Sequence, residues 1–175
     1  MLSHNEALDL IKRQNPEHHM IQHAEASEAV MRALARHFGE DEELWGMSGL
    51  VHDVDYPHTK DDAARHGLMA EEILAGTMPD EVVTAIKAHN SECTNVMPQT
   101  RMDYALRAAE TVTGLVTAAA LVRPTGMEGM EAKSLKKKMK DKAFAASVSR
   151  ERIRECEKIG LSLDDFLTIA ITAMS

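Results

Sequence analysis

Apolar residues recur at helical spacing along most of the chain, and turn-forming residues separate the repeats. Ser3 and Glu6 read as a reciprocal cap opening a short helix to about Arg13, which Asn15-Pro16 ends. A second helix is predicted from about Pro16 to Phe38, with Gly39 as its stop. Asp41 caps a third, carrying Leu44, Met47, Leu50 and Val51. It ends near His52–Asp55 because Pro57 forbids continuation. Residues 56–60 read as a turn, about 61–75 as a helix closed by Gly76, about 79–90 as another, and 91–99 as a loop. Thr100 and Asp103 cap a long helix to about Val122, broken by Arg123-Pro124. A lysine-rich helix is predicted over about 131–146. Ser149 starts one more, closed by Gly160, and Ser162 and Asp165 start the last.

The pattern predicts an all-α fold: one compact bundle of about nine helices, with residues 1–175 forming a single domain. Its core is expected over about 18–122, followed by a helical extension over 131–175. Composition agrees, since alanine, leucine and methionine carry the apolar content and aromatics make up only 3%, too few for a large sheet. A net charge of −8 disfavours a nucleic-acid polymer or an anionic membrane as partner, either of which needs a basic face. Cys93 and Cys156 match no thiolate metal motif and suit a reducing compartment. The N-terminus lacks the layout of a signal peptide, and no apolar run approaches the roughly 20 residues that span a bilayer. A cytoplasmic protein is therefore expected. Its methionine-rich helices could pack in the core or between the copies of a homo-oligomer.

Nine histidines direct attention to metal chemistry. His52-Asp53 sits at the end of the apolar third helix, where both side chains can turn toward one cation. His23 shares a helix face with Ser27, Val30 and Leu34. His66 shares one with Met69, Ala70 and Ile73, and His89 one with Val82 and Ile86. Any one of these could be an ordinary core histidine bonded to a carbonyl. Arg107 and Glu110 are the only charges between Tyr104 and Val122, so Glu110 needs a partner in an apolar helix. A cation would serve, and so would a neighbouring arginine. Together, four inward-facing histidines and two carboxylates on separate helices predict a divalent metal site, of one or two ions, within the bundle. Nitrogen and oxygen ligands suit iron, manganese, zinc, cobalt or nickel.

Those residues resemble the HD superfamily of metal-dependent phosphohydrolases, whose signature is a histidine, then His-Asp, then a later aspartate on a helical core. His23, His52, Asp53 and position 110 match it. The segments WGMSGLVHDVDYPHT, RHGLMAEEIL, AIKAHN, AAETVTGLVTAAALVRP and KSLKKKMKDKAFAASVSRERI extend the likeness, to a group of small bacterial and archaeal HD hydrolases, over about residues 18–174. One departure stands out: the group usually has aspartate where this chain has Glu110. The resemblance implies that His23, His52, Asp53 and Glu110 hold a first metal, that Asp53 bridges, and that His66 and His89 bind a second.

The expected reaction is hydrolysis of a small phosphoester or nucleotide by metal-activated water. Asp55 and His58, just past the motif, are candidates to relay protons, or else plain loop residues. Lys133, Lys136, Lys137 and Lys140 form one helix stripe, which reads first as a solvated face and second as a group that could meet the substrate's phosphate. Arg123 and Arg150 are further candidates for that task. A di-iron oxygenase of HD type and a non-catalytic metal- or nucleotide-binding regulator are the competing readings.

Overall fold

The computed structural model describes residues 1–175, and they form helices and turns with no strand. The reciprocal cap between Ser3 and Glu6 opens α1 (His4–Arg13). The long helix α2 (His18–Phe38) stops at Gly39, which takes a left-handed φ of 71°. The Asp41 carboxylate accepts from the backbone N–H groups of Glu43 and Leu44 and starts α3 (Glu42–Val51). Short turns of helix, α4 (Tyr56–Thr59) and α7 (Ser91–Thr94), flank α5 (Leu68–Leu74) and α6 (Asp80–His89). The expected Thr100/Asp103 cap opens α8 (Arg101–Leu121). The C-terminal part comprises α9 (Ala132–Lys140), α10 (Arg150–Arg154), a 3-10 turn (Glu155–Ile159) and α11 (Leu163–Met174). No helix is long and apolar enough to cross a membrane.

α2 and α8 form the frame. α3 lies along α2, α6 packs on α8, and α11 covers α2 and α8 from the other side. Val30, Met31 and Leu34 of α2, Leu50 of α3, Leu106 and Leu115 of α8, and Phe166 of α11 fill the interior. Every residue of α3 from Trp45 to Val51 is buried, so this helix runs through the core rather than over it. Such depth requires a small contact surface. A Cβ on Gly49 would lie 2.6 Å from the carbonyl oxygen of Ser27, so a hydrogen at this position lets α3 rest directly against the α2 backbone. That contact fixes the spacing between the helices that carry His23 and His52.

Two predicted helices are shorter than expected. Residues 61–67 turn instead of continuing into α5, because the buried Asp55 carboxylate accepts from the backbone N–H groups of Gly67 (2.7 Å) and Ala70 (3.1 Å). A residue from a preceding segment thus caps α5, and Gly67 supplies the positive φ of 88° that the turn needs. Likewise α9 stops at Lys140 instead of running to 146. The Arg150 guanidinium reaches back to the carbonyls of Asp141, Phe144, Ala145 and Val148 and holds that stretch in a non-helical path.

Gly49→Ala should destabilise the fold by about 1–3 kcal/mol, although alanine favours helix over glycine by about 1 kcal/mol. Chemical denaturation measures the difference. A gain in stability would show that α2 and α3 do not depend on this close approach.

Candidate metal centre

Four histidines reach one point from four elements, and in each the outer ring nitrogen already has a partner. His52 follows the last residue of α3, and its Nδ1 lies 2.8 Å from the Gly49 carbonyl. His89 ends α6, and its Nδ1 contacts the Ile86 carbonyl. Carbonyls in the last turn of a helix lack an intrahelical donor, so a histidine there finds an acceptor three residues back. His66, in the turn before α5, places Nδ1 3.0 Å from Asp55 Oδ1. His23, on α2, places Nδ1 2.9 Å from the Thr113 hydroxyl, which itself donates to the Glu110 carbonyl at 2.6 Å. Each acceptor assigns the proton to Nδ1 and leaves the Nε2 lone pair facing inward.

Those inward nitrogens crowd together. His23 Nε2 is 3.2 Å from His52 Nε2, and His66 Nε2 is 3.0 Å from His89 Nε2. The Asp53 carboxylate lies between the pairs. Its Oδ1 is 3.4, 3.3 and 3.6 Å from Nε2 of His52, His66 and His89, and its Oδ2 is 3.8 Å from Nε2 of His23. Four lone pairs and an anion at such distances repel one another unless a positive charge sits among them. The ligand atoms fall into two sets that share Asp53, one with His23 and His52 and one with His66 and His89, and each set could hold a metal ion. All donors are nitrogen or oxygen, and neither cysteine takes part.

Without a metal, protons meet the same need. Burial works against a charged His66, yet its hydrogen bonds to Asp53 and Asp55 push its pKa up to about 10. Burial also opposes charge on His52, but the Asp53 charge outweighs it and raises the pKa. Asp53 itself is held well below the usual carboxylate range: burial would raise it, and His52, His66 and His89 overcome that. His23 moves the other way, lowered by burial and by the neighbouring His52.

The remaining candidates lie outside the two ligand sets. Glu110 is half-buried beside His23 but belongs to neither ligand set. Its Oε1 accepts from the Thr111 hydroxyl at 2.5 Å and lies 3.7 Å from Arg152 Nη1, so the neighbouring-arginine alternative describes its surroundings. Asp55 is fully buried with both oxygens occupied; it orients His66 and caps α5 rather than relaying protons. His58 is exposed and faces Gln14 at 3.1 Å. Lys133 and Lys140 are exposed, and Lys136 donates to Asp164 of α11 at 2.6 Å. Arg123 and Arg150 are engaged with loop carbonyls.

A cavity of about 200 Å³ opens beside His23, walled by Glu110, Gly114, Ser147, Ser149 and Arg152 among others, and none of the lysines reaches it. Arg107, buried in α8, supports the region. It donates to the carbonyls of Ala88 and His89 and to Glu92 and Glu155, and Glu92 also accepts from Arg152. Sequence reading passed over Thr113, Glu92 and Arg152. The lone arginine in an apolar helix was a signal for Arg107. No local pattern marks the other three, whose partners lie far along the chain.

A family model described as HD domain matches residues 20–120, a span that includes His23, His52, Asp53, His66, His89 and Glu110 and ends before α9. No curated protein and no solved structure matches the chain.

Because His66 carries a proton below about pH 10, a metal entering the site must displace it. Apparent metal affinity should rise with pH, by up to about tenfold per pH unit for each proton released. The sign for metal-free stability is opposite. A raised histidine pKa stabilises the fold fully below its ordinary value of 6.5, and that stability is lost as pH rises toward about 10. Metal titrations and thermal melts across this range test both, and affinity independent of pH would remove His66 from the ligands.

Proposed function

This chain belongs to the HD domain family, and from that premise we propose that it is a metal-dependent phosphohydrolase of a small phosphoester. In this reading His23 and His52 would hold one divalent cation and His66 and His89 another, with Asp53 common to both sets. The observation that carries it is the convergence of four Nε2 lone pairs on one carboxylate, with every Nδ1 already engaged. Such a set is preorganised for cations and poorly suited to anything else. Divalent cations bound there would supply a water of lowered pKa and would polarise a phosphoryl oxygen.

The chain's own contribution is orientation and charge. Gly49 and Ile86 carbonyls, the Asp55 carboxylate and the Thr113 hydroxyl hold the four rings in the ligating tautomer. Asp53 offers its two oxygens to opposite sides, Oδ2 toward His23 and Oδ1 toward the other three rings. His52 and His89 are buried, whereas the His23 side chain is 28% exposed and borders the cavity. Substrate therefore approaches from the His23 side, and the deeper rings keep solvent from the rear of the site.

Elemental analysis of untagged protein, with phosphate release from a panel of phosphomonoesters, tests this reading. The native chain should carry about two metal atoms. Asp53→Asn should lose metal and fall to background phosphate release, and His66→Ala should keep about one metal. Thr113→Val should weaken metal binding by about 10–100-fold, because His23 loses the acceptor that orients it. Native phosphate release from Asp53→Asn or from chelator-treated protein would overturn the reading. Oxygen uptake without phosphate release would move the site to oxygenase chemistry.

A further inference from the structure

The cavity beside His23 has a chemical character of its own. Its wall holds one carboxylate, Glu110, one guanidinium, Arg152, the His23 imidazole and the hydroxyl-bearing Thr111, Ser147 and Ser149, and Val148 is its single aliphatic side chain. The Arg152 guanidinium is anchored by a 2.7 Å bond from Nη2 to Glu92, while its Nη1 stands 3.7 Å from Glu110 Oε1. That separation is longer than a hydrogen bond, so both groups keep capacity for a ligand atom.

We infer that this cavity binds the hydroxyl-rich organic part of a sugar or polyol phosphate, with Glu110 and Arg152 gripping its hydroxyls. The inference rests on the phosphohydrolase reading for the placement of the phosphate at the metal centre. Three observations select the ligand class. A second phosphate could only accept hydrogen bonds and would face the Glu110 carboxylate, so the cavity is no anion pocket. A nucleobase needs a broad aromatic or apolar face to stack on, and the wall offers only Val148 and the His23 imidazole, which the phosphohydrolase reading commits to a metal. A hydroxyl both donates and accepts, so it can give its proton to Glu110 and take a hydrogen bond from Arg152 at the same time. Size is compatible: a cavity of about 200 Å³ has room for a sugar ring or short polyol.

Local construction supports the assignment. Gly114 presents no side chain to the cavity, and a Cβ there would meet only Val148, at 3.3 Å. The 147–149 wall is fixed by Arg150, which holds the carbonyls of Ala145 and Val148. Ser147, Ser149 and Arg152 all lie beyond the residues matched by the HD domain, so the C-terminal part of the chain supplies them to a centre built by the rest.

Equilibrium binding to the metal-loaded protein tests this with two non-hydrolysable probes, the methylene phosphonate analogue of ribose phosphate and benzylphosphonate. The sugar analogue should bind at least about tenfold tighter, the effect of a single additional hydrogen bond to a charged group. Arg152→Met should reduce that preference to near unity, and so should Ser147→Trp, which fills the cavity by another route. Metal content per chain reports whether each variant has folded. Equal binding of the two probes by the native protein, or an undiminished preference in both folded variants, would overturn the inference. Turnover of ribose phosphate and phenyl phosphate is measured alongside. A sugar preference in binding with no phosphate released from either ester would defeat the phosphohydrolase reading and leave the binding site standing.

Discussion

The organisation of this protein depends on one electrostatic requirement: four imidazole lone pairs and the Asp53 carboxylate share a space in which each repels the others. Histidine rings normally avoid this by turning or by exchanging the proton between nitrogens. Here neither escape is open, because Gly49, Ile86, Asp55 and Thr113 each bind an outer nitrogen. The inward charge deficit must be filled by protons or by metal ions. The high proton affinity of His66 and the depressed pKa of Asp53 are consequences of the same arrangement.

Helix ends make the arrangement possible. His52 and His89 sit where α3 and α6 stop, and each takes up a carbonyl that its own helix leaves without a donor. The feature that satisfies the helix end also fixes the tautomer, so local stability and ligation use the same bond. Gly49 joins the two scales: its missing side chain lets α3 sit against α2, and its carbonyl receives His52. Arg107 does comparable work on the other side, where one guanidinium closes the end of α6 and ties it to Glu92 and Glu155.

The all-helical fold and the histidine cluster were legible in the sequence for physical reasons. Amphipathic spacing and side-chain caps are local, as at Ser3/Glu6, Asp41 and Thr100/Asp103. The inward positions of His23 and His89 follow from helix periodicity, whereas His66 lies in the turn before α5 and is held inward by Asp55. Partnerships across long sequence separations were not legible. Asp55 read as a proton relay or a plain loop residue beside the motif, but it is buried and accepts from the backbone of Gly67 and Ala70. The stretch after Lys140 has helical composition, but Arg150 from the next helix binds its carbonyls and Asp141 caps its turn. The lysine stripe drew attention by charge alone, while the cation that meets the cavity is Arg152, in a short helix with little periodicity to show which way it faces.

Glu110 links these observations. At this position the resemblance leads one to expect a shorter aspartate as a metal ligand. Here the carboxylate binds Thr111 and lies near Arg152, on the cavity side of His23. The charge lies outside the two ligand sets that meet at Asp53. The backbone of the same residue still serves the centre, because the Glu110 carbonyl accepts from Thr113 and so steadies the hydroxyl that orients His23. Main chain and side chain of Glu110 therefore face different ways: the carbonyl steadies the orientation of His23 through Thr113, and the carboxylate lines the cavity. In this position the Glu110 carboxylate adds a polar wall beside the most exposed of the four histidines.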